Sequence, residues 1–172
     1  KSVAEANLWK DRLISVLERY DRNRLKAVIL LGQEAWASFV SLGSFPQDIP
    51  FFGCYASTNG IPLPDRNHPV TDKWMPESVD MIRQADSIGN GGGSLNRYDI
   101  AKNIDLIRSL YPNVDNIAFL SDNTYGGISL QALVKQEMSS HPDLTLTLID
   151  GRNGEKKAYA AIERLPRKSV LL

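Results

Sequence analysis

Cysteine and histidine are nearly absent from this chain of 172 residues, which carries Cys54, His68 and His141 and no others of either type. A lone cysteine excludes an intramolecular disulfide and a cysteine-based zinc site, and it leaves the redox compartment open. Each histidine is followed by proline in a polar stretch, and neither has a serine or cysteine partner that the sequence identifies, so no catalytic triad can be argued. Net charge is lacking as well. Twenty basic residues balance twenty acidic ones, without the basic excess that nucleic-acid and membrane-surface binders carry. No apolar run approaches the roughly 20 residues that cross a bilayer. The stretch from Lys1 to Trp9 lacks the cationic and apolar halves of a signal peptide. A nucleophile elbow, a glycine-rich dinucleotide turn after the first strand and a metal-ligand cluster are missing too, which argues against the common Rossmann-like enzymes.

What is present reads as a folded domain. Hydrophobic residues make up 42% of the chain and charged residues 23%, a balance that excludes disorder. Trp9, Leu13, Val16, Leu17 and Tyr20 share one helix face. After the polar stretch from Asp21 to Arg24, the run Ala27-Val28-Ile29-Leu30-Leu31 suits a strand covered on both faces, and Gly32 ends it. Helical spacing returns over 33–42 through Trp36, Phe39 and Val40, with Gly43 placed to terminate the turn. Residues 49–55 read as a second strand.

The second half repeats this pattern. Ile100, Ile104, Ile107 and Tyr111 line a helix that Pro112 stops. Residues 116–120 read as a strand and 127–138 as a helix carrying Leu130, Leu133, Val134 and Met138. Leu144, Leu146 and Leu148 alternate with threonines as a strand with one less-buried face. Ala158, Ala161, Ile162 and Leu165 mark another helix before the strand 169–172. Alternating helices and strands with short connections predict an α/β fold with parallel sheets and right-handed crossovers. Between the halves, 58–98 is expected to hold no long strand of either sheet. It contains Pro62, Pro64, Pro69 and Pro76, a short helix within 76–87, and a glycine run, Gly89 to Gly93, that reads as a flexible crossing or linker. The expected division is 1–94, first lobe plus crossing, and 95–172, second lobe. A sheet that closes on its last strand at Leu172 reads as a fragment of a longer polypeptide.

Ligands of open α/β sheets bind beyond the carboxyl ends of the strands. That rule selects Gln33, Tyr55, the segment Asp122-Asn123-Thr124-Tyr125 and Arg152 as candidate binding residues. The segment at 122–125 is the richest, with a carboxylate, an amide, hydroxyls and a ring ahead of Gly126 and Gly127, which open a helix whose N–H groups attract acceptors. The same residue types also dominate helix N-caps, so a purely capping role stands beside the binding one. Cys54 fits burial as a small hydrophobe better than reactivity. Trp9 and Trp36 fall on core faces, and Trp74 lies in the polar loop. Asp122 is no receiver-type phosphoacceptor, because the acidic pair and lysine of that site are not visible.

The strand, turn and helix of Leu25 to Trp36, the strand Ile49-Pro50-Phe51-Phe52-Gly53-Cys54-Tyr55, and the segment Asn116 to Gly126 with its Asp122-x-x-Tyr125-Gly126 tag resemble the type 1 periplasmic-binding-protein superfamily. Tyr98 to Ile107, followed by Tyr111-Pro112, resembles the crossing helix of the ABC-type substrate-binding-like sensor domains of bacterial two-component, including hybrid, sensor histidine kinases. The first strand–helix–strand of lobe one in that pattern is missing here, as are the elements after Leu172 and any kinase segment. The resemblance implies a two-lobed, Rossmann-like, periplasmic domain of a membrane-anchored parent chain, which binds a small solute between its lobes and signals by closure. It implies a small-molecule ligand, no nucleic acid, no cofactor and no metal, with a homodimer as an expected assembly. A substrate-binding protein of an ABC transporter is the alternative within the fold. A Rossmann-like hydrolase or transferase is the alternative from another class.

Overall fold

The computed structural model describes residues 2–21, 24–63 and 74–172. His68, with Pro64 and Pro69 of the proline-bearing stretch and Arg22 and Asn23 of the polar stretch, lies outside the described residues.

The fold is α/β, with two parallel sheets and helices between and around them. A helix α1 (Ala6–Leu17) leads to strand β1 (Val28–Leu31), helix α2 (Gln33–Val40) and strand β2 (Phe51–Ser57). A short antiparallel pair follows, β3 (Asn59–Gly60) with β4 (Val79–Asp80), then α3 (Met81–Asp86) and β5 (Gly91–Asn96). The second half runs α4 (Ile100–Leu110), β6 (Asn116–Ser121), α5 (Tyr125–Met138), β7 (Thr145–Asp150), α6 (Glu155–Glu163) and β8 (Ser169–Leu171). The first sheet has the order β1-β2-β5 and the second β7-β6-β8, with every pairing parallel. The five strands expected from the sequence are all present in these two sheets.

Local chemistry sets the helix ends. Asp80, Asp99 and Thr124 cap α3, α4 and α5, each side chain accepting from N–H groups of the first turn, which satisfies donors that have no partner inside a helix. Gly43 follows α2 with φ of 78°, the left-handed conformation that glycine adopts without a Cβ penalty.

Two expectations are corrected. The segment 58–98 does contribute a strand to a main sheet, since β5 pairs with β2 from Phe51↔Gly91 to Ser57↔Asn96, with one register shift between Cys54 and Ala56. Three of the glycines read as a linker belong to it, and steric crowding explains two of them, Gly91 and Gly93. A Cβ on Gly91 would meet the Phe51 ring at 2.2 Å, and one on Gly93 would meet the Gly53 carbonyl oxygen at 2.6 Å. Residue 94 itself lies within β5, which runs to Asn96. Finally, β1 is covered on one face only. Val28 and Leu30 are buried while Ile29 and Leu31 are 68% and 64% exposed. Strand side chains alternate between faces, and the packed helices lie on the side of Val28 and Leu30.

Two apolar cores result. The first gathers Trp9, Trp36, Phe39, Phe51 and Met81, with the Phe39 ring tilted against Phe51 at 4.7 Å and edge-on to Phe45 at 4.8 Å between centroids. Such aromatic pairs add about 0.5–1.5 kcal/mol beyond area burial. The second gathers Ile104, Ile107, Ile117 and Phe119. Helix α5 belongs to both. Tyr125, Ile128 and Ala132 join the first core, while Leu130, Leu133, Val134 and Met138 pack in the second. At about 100° per residue these sets fall on opposite sides of the helix. The sequence reading found only the second set.

Candidate functional site

The carboxyl edge of the first sheet opens onto a pocket of about 360 Å³. Its floor follows directly from the strands: Thr58 and Asn59 come after β2, and Arg97 and Tyr98 come after β5. Val79, Asp80 and Ile82 form one wall, and Leu133, Gln136 and Glu137 of α5 form the other. One side is therefore built from the first half of the chain and the other from the helix shared with the second sheet.

Asn59 is the most informative residue there. It is 8% exposed, its Oδ1 accepts from the Ser57 hydroxyl, and its buried Nδ2 has no hydrogen-bond partner among the described residues. An unpaired buried donor costs about 1–3 kcal/mol, so the residue that lines this polar pocket carries an unsatisfied group just beneath its surface. Around it stand both signs of charge, Arg97 on one side and Asp80 and Glu137 on the other, with Tyr98 half exposed. Asp80 is already engaged, since its Oδ1 accepts from the N–H groups of Ile82 at 2.9 Å and Arg83 at 3.1 Å.

The residues selected from the sequence are distributed over separate environments. Gln33 lies just after β1 and braces the floor, its Nε2 donating to the Asn59 carbonyl at 3.3 Å and its Oε1 accepting from the Ser57 N–H at 3.1 Å. Tyr125 is wholly buried. Its hydroxyl donates to the Ile61 carbonyl at 2.7 Å and accepts from the Ile61 N–H at 3.0 Å, and burial pushes its pKa up to about 12 against the opposing hydrogen bonds. Gln33 and Tyr125 are thus brought together on one segment, 57–61, which they hold from two sides. Tyr125 offers none of its hydroxyl to solvent.

The others lie elsewhere. Asp122 Oδ1 accepts from the Thr124 N–H at 3.0 Å and from its hydroxyl at 2.6 Å, and Thr124 Oγ1 accepts from the Gly127 N–H at 3.1 Å. These contacts are those of a helix cap. The Asn123 carbonyl accepts from the Val3 N–H, beside a bridge between Ser2 and Thr124. Arg152 Nε donates to both Asp150 oxygens, at 3.0 and 2.9 Å, and its Nη1 donates to the Trp74 carbonyl. Burial raises the Asp150 pKa, but the hydrogen bonds and charge of Arg152 outweigh it and hold the carboxyl below its ordinary value. Tyr55 stands 82% exposed at a register shift in β2, with φ of 56°.

Sequence reasoning missed Asn59, Arg97, Tyr98, Gln136 and Glu137. The strand-end rule would have found Arg97 and Tyr98 had β5 been recognised behind its glycines. Cys54 is half-buried and outside the pocket lining, as is His141. No group of three or more His, Cys, Asp and Glu among the described residues could hold a metal ion, and none of the helices among them is long and apolar enough to cross a membrane. No protein-family model, curated protein or solved structure matches the chain.

Proposed function

We propose that this chain is a non-catalytic, two-lobed ligand-sensing domain that binds a small polar solute in the pocket beyond β2 and β5. In this reading it is the periplasmic part of a membrane-anchored two-component sensor histidine kinase, arranged like the type 1 periplasmic binding proteins. The observation that carries the binding proposal is a pocket on the carboxyl edge of a parallel sheet whose lining joins Asn59 and Arg97 to Gln136 and Glu137 of α5. The rim supports it, because Arg97 can take an anionic or carbonyl group while Glu137 takes a hydroxyl or ammonium. The kinase partner rests on the resemblance of Asn116 to Gly126 and Tyr98 to Ile107.

Signalling follows from the walls. One is carried by the β4–α3 region and the other by α5, so a solute touching both favours the separation at which both sets of contacts form. A ligand shifts such an equilibrium only by its difference in affinity for the two states. Within the fold, the same binding step would serve a transporter's substrate-binding protein.

A thermal-shift screen with hexoses, α-amino acids and dicarboxylates tests the site, since a ligand at 100 times its Kd stabilises by about 2.7 kcal/mol. At least one class should raise Tm in the unaltered protein. Arg97→Ala, on the exposed rim, and Asn59→Ala should each weaken that solute roughly tenfold or more, the cost of about 1.4 kcal/mol. If no class shifts Tm, or if both variants bind as tightly as the parent, the pocket is not the site.

A further inference from the structure

The first sheet has one face under helices and one face bare, and the bare face is apolar. The strand register aligns Ile29 with Phe52 and Phe52 with Gly92, then Leu31 with Cys54 and Cys54 with Ser94. Because side chains alternate between faces, these two rows lie together, opposite Val28, Leu30 and Phe51 of the core. Ile29, Leu31 and Phe52 are all exposed there. None of the three strands contains Asp, Glu, Lys or Arg. All-parallel sheets occur almost only with both faces covered. Edge strands that face water are normally blunted by charge or proline, yet β1 and β5 are both edges and carry neither.

This face is not level. Large side chains stand on β1 and β2, whereas β5 offers only Gly92 and Ser94. A Cβ on Gly92 would meet nothing within 4 Å, so open space lies over β5 beside the ridge of Ile29, Leu31 and Phe52. Such a surface is complementary to itself. A half-turn about an axis between the faces, running along the strands, lays β1 of one copy over β5 of the other. Each ridge then enters the opposite trough, and every contact is made twice. An axis across the strands would instead set ridge on ridge and trough on trough.

The area suits a second copy. Tyr55, which follows Cys54 at the register shift with β5, is 82% exposed, and Phe52 is 47% exposed. At about 150–250 Å² for a whole aromatic side chain, these two alone present roughly 200–300 Å². Ile29 and Leu31 extend the patch to the few hundred Å² that mark an interaction site. Two such faces bury on the order of 1,000 Å², the least that a specific interface needs.

We propose that the bare face of the first sheet is a self-association surface, on which a second copy of this chain packs sheet to sheet with β1 over β5. The solute pocket shares none of the residues in the two rows, so this inference goes beyond the binding reading and stands or falls separately from it.

Sedimentation equilibrium of the unaltered chain, from low micromolar to submillimolar concentration, should fit a monomer–dimer equilibrium. Larger interfaces begin at micromolar affinity, so the Kd should be micromolar or weaker. Phe52→Glu should weaken the dimer tenfold or more, as a central aromatic anchor does. Ile29→Lys repeats that test from β1, and circular dichroism identifies a variant that has lost the fold. Gly92→Leu is the sharpest test, because it adds apolar surface. By filling the trough it should weaken the dimer, whereas general stickiness, or β5 stacked on β5, would tighten it. Tyr159→Glu, at an exposed position on α6, should leave the Kd within about twofold. The proposal is overturned if the chain stays monomeric over the whole range or grows beyond a dimer. It is equally overturned if Gly92→Leu tightens the dimer or leaves it unchanged, or if folded Phe52→Glu or Ile29→Lys associates like the parent.

Discussion

Replacing Tyr125 by phenylalanine removes one oxygen and asks how much the segment 57–61 depends on it. The ring stays, and with it the edge-to-face contact with Trp9 at 6.3 Å between centroids. What is lost is the hydroxyl's pair of bonds to Ile61, 2.7 Å to the carbonyl and 3.0 Å from the N–H. Ile61 is 1% exposed, so water cannot replace the hydroxyl without opening the core. Each buried group left unpaired costs about 1–3 kcal/mol. Two such groups, partly relieved by relaxation, give roughly 2–4 kcal/mol. For a chain of this size that lowers Tm by about 5–15 °C. Urea denaturation should show a lower midpoint at an unchanged slope, because the surface exposed on unfolding is the same. The pocket should feel the change as well, since Ile61 lies two residues past Asn59. A loss below about 0.5 kcal/mol, the range of an ordinary surface substitution, would refute the view that Tyr125 clamps this segment.

Other substitutions and pH changes have equally definite outcomes. Gly93→Ala should destabilise by about 1–3 kcal/mol, the cost of overpacking, because its Cβ meets backbone at 2.6 Å. Gly92→Ala, with nothing within 4 Å, should instead stabilise by about 0.4–1 kcal/mol, and equal effects in chemical denaturation would contradict the strand assignment. Tyr55→Gly should raise stability by about 1 kcal/mol, since φ of 56° penalises a side chain that is 82% exposed and contributes little packing; a loss would show that the ring matters to the fold. For Asp150, whose pKa is lowered in the folded state, the stability it contributes is present above the unfolded value of about 3.9 and is lost as pH falls through the folded one. Asp150→Asn should therefore flatten the acid limb of the stability profile. At neutral pH it should cost roughly 3 kcal/mol by taking from Arg152 the carboxylate it is paired with, and an unchanged acid limb would discount the pair. Tyr125 has the opposite sign: its pKa of about 12 makes its contribution complete below about pH 10 and lost as pH rises toward 12, to be followed by stability measured across the alkaline range.

The sequence by itself determined the α/β class, the parallel strands on either side of the crossing and the helices that link them. These follow from local pattern, because strand and helix periods, Gly32, Gly43 and Pro112 act within a few residues of where they stand. It also singled out Gln33, which follows β1, and Tyr125, which opens α5. Their targets were not legible: that both close on 57–61 depends on how α5 lies across the first sheet, and no spacing encodes that. Tertiary structure alone decided three things. Gly91 to Gly93 carries no side-chain period and looks like a linker, yet the Phe51 ring crowds Gly91 and the Gly53 backbone crowds Gly93, so glycine at those two positions is what lets a strand form there. Ile29 and Leu31 read as buried because apolar runs usually are, but helices cover one face of that sheet and leave theirs bare. Asn59, in a stretch without periodicity, became a candidate binding group only once its neighbours buried it and left its amide unpaired, since a missing partner is a property of the surroundings and has no signature in the chain.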